Sequence, residues 1–193
     1  MLVIDTVEQL RAWLAAQGID LRRWGAGHAK SVEDLWLELT EGESTLQDDP
    51  PMRMTRLVSV LIRQEDRTLV EARQTLRDER ERPRSLPPSE KLKRDEPPLD
   101  AARRCLREEL GIRAAEVQLV ETELTRLPQD STSYPGLATR YIVYWVEAHV
   151  GGLPETDFST PETSPTGDQV RDHHWIWVKD YPYALRFEGM APD

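Results

Sequence analysis

Cys105, Glu108 and Glu109 stand at i, i+3 and i+4 along one stretch of the chain. At ~100° per residue this spacing gathers them on one flank of a helix, beside an apolar stripe of Leu99, Ala102, Leu106 and Leu110. Two neighbouring carboxylates repel each other. Solvation relieves that repulsion, and so does arginine or a hard cation such as Mg²⁺, which prefers oxygen ligands. Arg104 and Arg107 could supply the arginine, leaving a plain solvated face, and the helix by itself leaves both readings open. Its ends are well marked. Pro97 and Pro98 sit in the first turn, where a missing N–H costs little, and Gly111 sits where a left-handed stop is needed.

Other elements must hold this helix. Leu57 to Ile62 and Thr68 to Ala72 read as strands, and Leu99 to Leu110 as the helix itself. Val117 to Leu124 and Arg140 to Val150 are two further strands, and Trp175 to Val178 is a last one. Tyr181 to Phe187 reads as a short closing helix. Residues 76–95 are charged and broken by prolines, which predicts a long loop; residues 153–169, rich in Thr, Ser and Pro, predict another. Upstream, Thr6 and Gln9 have capping-box spacing before Val7, Leu10 and Leu14, and Gly18 can end that helix. A second helix follows Ser31, with Val32, Leu35, Trp36 and Leu39 on one face and Gly42 as its stop. Asp48-Asp49-Pro50-Pro51 reads as a linker. The expected division is a helical N-terminal extension over 1–53 and a second domain over 54–193. The order of elements predicts an α+β fold with a mixed sheet.

The segment from Glu90 to Ile112 resembles the Nudix box, G-x5-E-x7-R-E-U-x-E-E-x-G-U, where U is aliphatic. Glu96, Arg104, Leu106, Glu108, Glu109, Gly111 and Ile112 match in register. The resemblance covers roughly residues 54–185, not the N-terminal helices. It implies a Nudix-like α/β/α sandwich. It also implies that Glu108 and Glu109 are the catalytic glutamates and hold Mg²⁺ or Mn²⁺ against a diphosphate. The Glu90 carbonyl stands where the family often uses the first Gly of the box as a ligand. Asp168, then Glu162, are the expected further ligands from the loop before the last strand. Glu96 and Arg104 match a pair that braces the loop onto the helix. The implied function is metal-dependent hydrolysis of a nucleoside-diphosphate-linked compound, by a metal that lowers the pKa of an attacking water. Two departures weaken the site: Glu90 replaces the opening Gly, and Cys105 replaces the Glu after the box Arg. A thiol is a poor Mg²⁺ ligand. These departures and the extension support a second reading, a non-catalytic Nudix-like domain that binds a nucleotide, an RNA 5′ end or a protein partner.

Three other groups have chemical potential. Arg77, Arg80, Arg82, Arg84, Lys91, Lys93 and Arg94 crowd the approach to the helix and could guide a polyphosphate or simply be solvated. His173 and His174 are neighbours on a strand, so their rings point to opposite faces, and both read as ordinary strand residues. Tyr134, Tyr141, Trp145, Trp175 and Trp177 read as core in preference to base-stacking groups.

Composition narrows the classes. The chain has 193 residues, 38% apolar and 31% charged, which suits one domain with an appendage. A net charge of −10 argues against broad non-specific binding to nucleic acid or anionic membranes. The single cysteine excludes an internal disulfide and a Cys-rich zinc site, and suits a reducing compartment; a cytoplasmic setting is expected. No stretch approaches the ~20 apolar residues of a membrane span, and the start lacks a basic, apolar leader pattern. The expected partner is a nucleotide-like small molecule. The apolar faces of the extension must be covered, by the sandwich or by a second copy in a homodimer.

Overall fold

The computed structural model describes residues 4–27, 29–113, 116–125, 129–131, 133–164 and 169–181. Helix α1 (Val7–Ala16) begins at Thr6, whose hydroxyl accepts from the Gln9 amide. Gln9 Oε1 accepts from the Asp5 amide at 2.6 Å, so the expected capping box closes one residue early. Helix α2 (Val32–Glu41) opens with a complete capping box, Ser31 with Asp34, and ends at Gly42 in the left-handed conformation. Leu10, Trp13 and Leu14 of α1 and Val32 and Leu35 of α2 form one core with Tyr134 and Leu137. The extension's apolar faces are thus covered from within the chain.

Strands β1 (Ser44–Gln47) and β2 (Met52–Gln64) form a hairpin, pairing Ser44 with Thr55 and Gln47 with Met52. Residues 48–51, expected as a linker, are its turn. Asp and Pro favour tight turns as well as linkers, and only strand pairing on both sides distinguishes the two. Beyond β2 run β3 (Arg67–Leu76), β4 (Glu81–Leu86), β5 (Ser89–Lys91), α3 (Pro98–Leu110), β6 (Glu116–Thr125) and β7 (Gln129–Asp130). Strands β8 (Ala138–His149), β9 (Phe158–Pro161) and β10 (Val170–Lys179) complete the described elements. Both expected loops therefore contain strands, β4 and β5 in the first and β9 in the second. All three are short edge segments rich in charge, Pro, Ser or Thr, whose pairing comes from neighbours and not from an apolar pattern. The expected closing helix lies outside the described residues beyond Tyr181.

The sheet is mixed. β2 runs parallel to β8 from Arg53–Thr139 to Ile62–Ala148, and β6 adds antiparallel to β8. Along its other edge β2 meets β1, β5 and β3 in turn. β2 and β3 share only the pairs Arg63–Thr68 and Gln64–Arg67, after which β3 pairs with β4 and β10. Helix α3 packs on one face of this frame. Ala102, Cys105, Leu106 and Leu110 are buried with Val58, Val60 and Ile62 of β2, Leu69 of β3, Val146 of β8 and Trp175 of β10. Leu99 is half-buried at the edge of that core, because it lies in the first turn of α3. Leu57, Leu61, Val143 and Trp145 occupy the opposite face of β2 and β8, as a period of two requires. Tyr134, Trp145 and Trp175 are core residues, as expected.

Candidate active site

α3 carries Arg104, Cys105, Glu108 and Glu109, and β5 carries Glu90. Glu90 stands opposite Val58 of β2, in a strand and outside the positive-φ residues. The residue that replaces the box glycine therefore occupies backbone that any side chain tolerates.

Arg104 is the hub of the outer half of the site. Its Nε and Nη2 donate to the two Glu96 oxygens at 3.0 and 2.9 Å, a bidentate pair, and Nη2 also donates to the Lys91 carbonyl at 2.7 Å. Glu96 in turn accepts from the Lys93 amide at 2.8 Å. The loop from β5 to α3 is thereby closed on the helix. Nη1 of Arg104 lies 3.1 Å from Glu90 Oε2 and 3.7 Å from Glu108 Oε2, so one cation stands between two carboxylates on different elements. Glu108 also accepts from Arg107 at 3.2 Å. Burial, with the charges of Glu43 and Glu108, raises the Glu90 pKa to about 7 against the pull of Arg104.

The inner half centres on His173. Its Nδ1 lies 2.6 Å from Glu71 Oε1 and its Nε2 3.0 Å from Glu162 Oε2. Burial disfavours its charge, but the hydrogen bonds to Glu162 and Glu71 prevail and raise its pKa to about 10. At neutral pH it is an imidazolium that donates from both nitrogens. Arg84 Nε and Gln74 Nε2 reach the other Glu71 oxygen, both at 3.1 Å. Glu109 is buried in the same region and accepts from the Cys105 thiol at 3.4 Å. Burial, with Glu71 and Glu90 nearby, pushes Glu109 well above the usual carboxylate range, although His173 opposes this. Burial and Glu109 likewise push the Cys105 thiol up. Thr163 holds the Glu108 carbonyl through its amide and hydroxyl, and the Thr160 hydroxyl holds that of Glu109. β9 and the residues after it thus fasten the end of α3.

The sequence-derived candidates divide accordingly. Glu90, Glu96, Arg104, Glu108 and Glu109 lie in one region, and Glu162 lies across from them on His173. Asp168 lies outside the described residues. Two residues were not anticipated. His173, read as an ordinary strand residue, is buried among the carboxylates, and Glu71 was not singled out at all. A glutamate at the centre of the apolar β3 run Leu69-Val70-Glu71-Ala72 was the available signal. His174, on the other face as expected, pairs with Thr75 and Ser159. Cys105, expected on a metal-facing flank, is wholly buried in the core while still touching Glu109.

The donor set suits a hard divalent cation in kind. Its donors are carboxylates, and two of them, Glu90 and Glu109, are raised by burial and by neighbouring carboxylates, a field that a cation relieves. Among the described residues, no three His, Cys, Asp or Glu side chains stand together as a ready ligand set. Arg104 occupies the space between Glu90 and Glu108 instead.

A cleft of about 240 Å³ opens over these residues. Glu90, Arg104, Glu109 and His173 line one side. α2 lines another with Asp34, Leu37, Glu38 and Glu41, an i, i+3, i+4, i+7 face opposite its apolar one. Leu37, half exposed, is part of this wall. Arg82 and Arg84 of β4 and Tyr141 of β8 also border the cleft. Of the basic loop, Arg82, Arg84 and Lys91 therefore face the cleft, while Arg94 is exposed to solvent. No helix among the described residues is long and apolar enough to cross a membrane.

Comparison with known proteins gives one family. The NUDIX domain model matches residues 53–191. Among solved structures, the solution structure of the E. coli ORF135 protein is similar, with 18% identity and a TM-score of 0.36 over 66% of this chain and 75% of that one. No curated protein matches the chain.

Proposed function

Since the chain belongs to the Nudix family, we propose that it hydrolyses a nucleoside-diphosphate-linked compound with Mg²⁺ or Mn²⁺, at an activity reduced by Arg104 between two of the carboxylates. The observation that carries this reading is the pair of carboxylates Glu90 and Glu109 in a cleft bordered by Arg82 and Arg84, with Glu108 joined to Glu90 through Arg104. Bound there, the cation would polarise the diphosphate and lower the pKa of an attacking water. Glu108 and Glu109, with Glu90, would hold it. Arg82 and Arg84 would draw the anionic end of the substrate into the cleft. Glu96 and Arg104 keep β5 and α3 in register while this occurs. The single cysteine remains our reason for a cytoplasmic setting.

The test is turnover. The protein is incubated with Mn²⁺ and a panel of nucleoside triphosphates, nucleoside-diphosphate sugars and dinucleoside polyphosphates, and phosphate-bearing products are measured. Glu109→Gln should abolish both Mn²⁺ binding and turnover while the fold is kept. A wild type that binds no Mn²⁺ at millimolar levels rejects the hydrolase reading.

A binding-module reading is favoured by one specific observation, the placement of Arg104 between Glu90 and Glu108 with no ready ligand triad among the described residues. Tight binding of a nucleotide without metal and without turnover would establish it.

A further inference from the structure

β5 is held from both faces. Glu90 and Lys91 are consecutive, so their side chains leave the strand on opposite sides. Glu90 turns toward α3 and meets Arg104, which also holds the Lys91 carbonyl. Lys91 turns toward the extension, where its Nζ lies 2.5 Å from Glu38 Oε1 and 3.2 Å from Glu43 Oε2. Glu38 is itself immobilised. Its Oε1 also accepts from Lys30 at 3.0 Å and from the Tyr134 hydroxyl at 3.0 Å; its Oε2 accepts from Arg53 Nη2 and the Ser44 hydroxyl, both at 2.9 Å. One contact further on, Gly42 ends α2 with φ +75°, and a Cβ there would lie 2.5 Å from Arg94 Cβ and 2.9 Å from its amide nitrogen. The end of α2 therefore rests directly on the loop between Glu90 and Glu96.

We propose that the N-terminal extension is a working part of the site: Glu38 of α2, through Lys91, is a positioning residue that sets strand β5 and so the placement of Glu90 beside Glu108. The inference rests on the hydrolase reading only for its effect on metal; the clamp itself is a matter of this chain's own contacts. It also accounts for the side chain at position 90. A glycine there offers only backbone to the site, whereas a carboxylate must be aimed, and β5 has just three residues of pairing with β2 to aim it. A short edge strand opens readily unless its side chains are tied.

Lys91→Met cuts the tie to β5 and leaves Glu38 with Lys30 and Arg53. Lys30→Met removes a cation from the same hub without touching β5 and controls for general loss of charge. Lys91→Arg tests rescue. In the metal-free full-length protein, hydrogen exchange of the amides in 89–93 should rise about tenfold in Lys91→Met, with the amides of α3 unchanged and with no rise in Lys30→Met or Lys91→Arg. A Mn²⁺ titration should show affinity lowered about tenfold in Lys91→Met alone. Equal exchange of 89–93 in Lys91→Met and Lys30→Met overturns the proposal, as does unchanged Mn²⁺ affinity in Lys91→Met. If the wild type binds no Mn²⁺, the hydrolase reading fails and with it Glu90 as a ligand; the exchange data then decide the clamp alone.

Discussion

Two regions of this molecule bury glutamates among charged partners, with opposite electrical results. Around Glu38 the cations outnumber the carboxylate they surround. Burial alone would raise its pKa, but Lys91, Arg53 and Lys30 hold it well below the usual range. Around Glu90 and Glu109 carboxylates dominate, and burial and repulsion raise both. In the first region the surrounding cations hold Glu38 ionised and tie the extension to β2 and β5. The second keeps an unfavourable concentration of negative charge, as expected where a group is held for chemistry and not for stability. They meet at β5, through the neighbours Glu90 and Lys91.

The largest expected effect lies in the first region. Glu38→Gln leaves Arg53, Lys30 and Lys91 facing one another and should cost about 3–5 kcal/mol of stability, read by chemical denaturation. A loss below about 1 kcal/mol would remove the contrast between the regions. Next comes Cys105→Glu. The family's carboxylate placed here enters a core of Leu106, Val58 and Trp175 and adds a charge beside Glu109. It should destabilise markedly and leave Mn²⁺ affinity unimproved, whereas Cys105→Ala should fold. Tighter Mn²⁺ binding in a stable Cys105→Glu variant would place Cys105 on the metal side after all. Gly42→Ala should lower stability by about 1–2 kcal/mol or more, through the left-handed φ and the clash with Arg94.

The pH response sharpens the comparison because the two signs differ. Glu38 has a depressed folded pKa, so its contribution is present above its unfolded value, near 4.5, and is lost as pH falls below it. Glu90 has a raised folded pKa of about 7, so the folded state binds its proton more tightly. Stability then declines as pH rises from about 4.5 to about 7. Melting temperature followed across that window should fall less in Glu90→Gln than in wild type. Parallel curves would show that Glu90 titrates normally. The smallest effect on stability belongs to Glu109→Gln. Gln imitates the protonated acid that burial favours there, so the change should stay within about 0.5 kcal/mol in metal-free protein. Large destabilisation would make Glu109 a structural residue like Glu38.

The site was partly legible in the chain. Glu108, Glu109, Glu96 and Arg104 share one helix and the loop before it, so their relation follows from spacing and from the register of the box. Glu71, Glu162 and His173 come from β3, the residue after β9, and β10, and only the pairing of β3 and β9 with β10 brings them together. Strand periodicity correctly separated the two histidines onto opposite faces. It carried no information about which face held carboxylates, so His173 looked ordinary. Asp168 lies outside the described residues.

Local features follow from the chain alone. These are the caps and stops of α1, α2 and α3, the buried faces at helical spacing, the long strands with apolar periodicity, and the family through its box. Each depends on residues near one another in the chain, where backbone geometry fixes which side chains share a face. The rest depends on long-range packing, which the fold alone supplies. It turned 48–51 from a linker into a hairpin turn, paired short polar stretches as β4, β5 and β9, and buried Cys105. It also made α2 a wall of the cleft. The reason is that an edge strand or a buried ion pair is stabilised by partners distant in sequence, and residue type alone does not say which partners will be there.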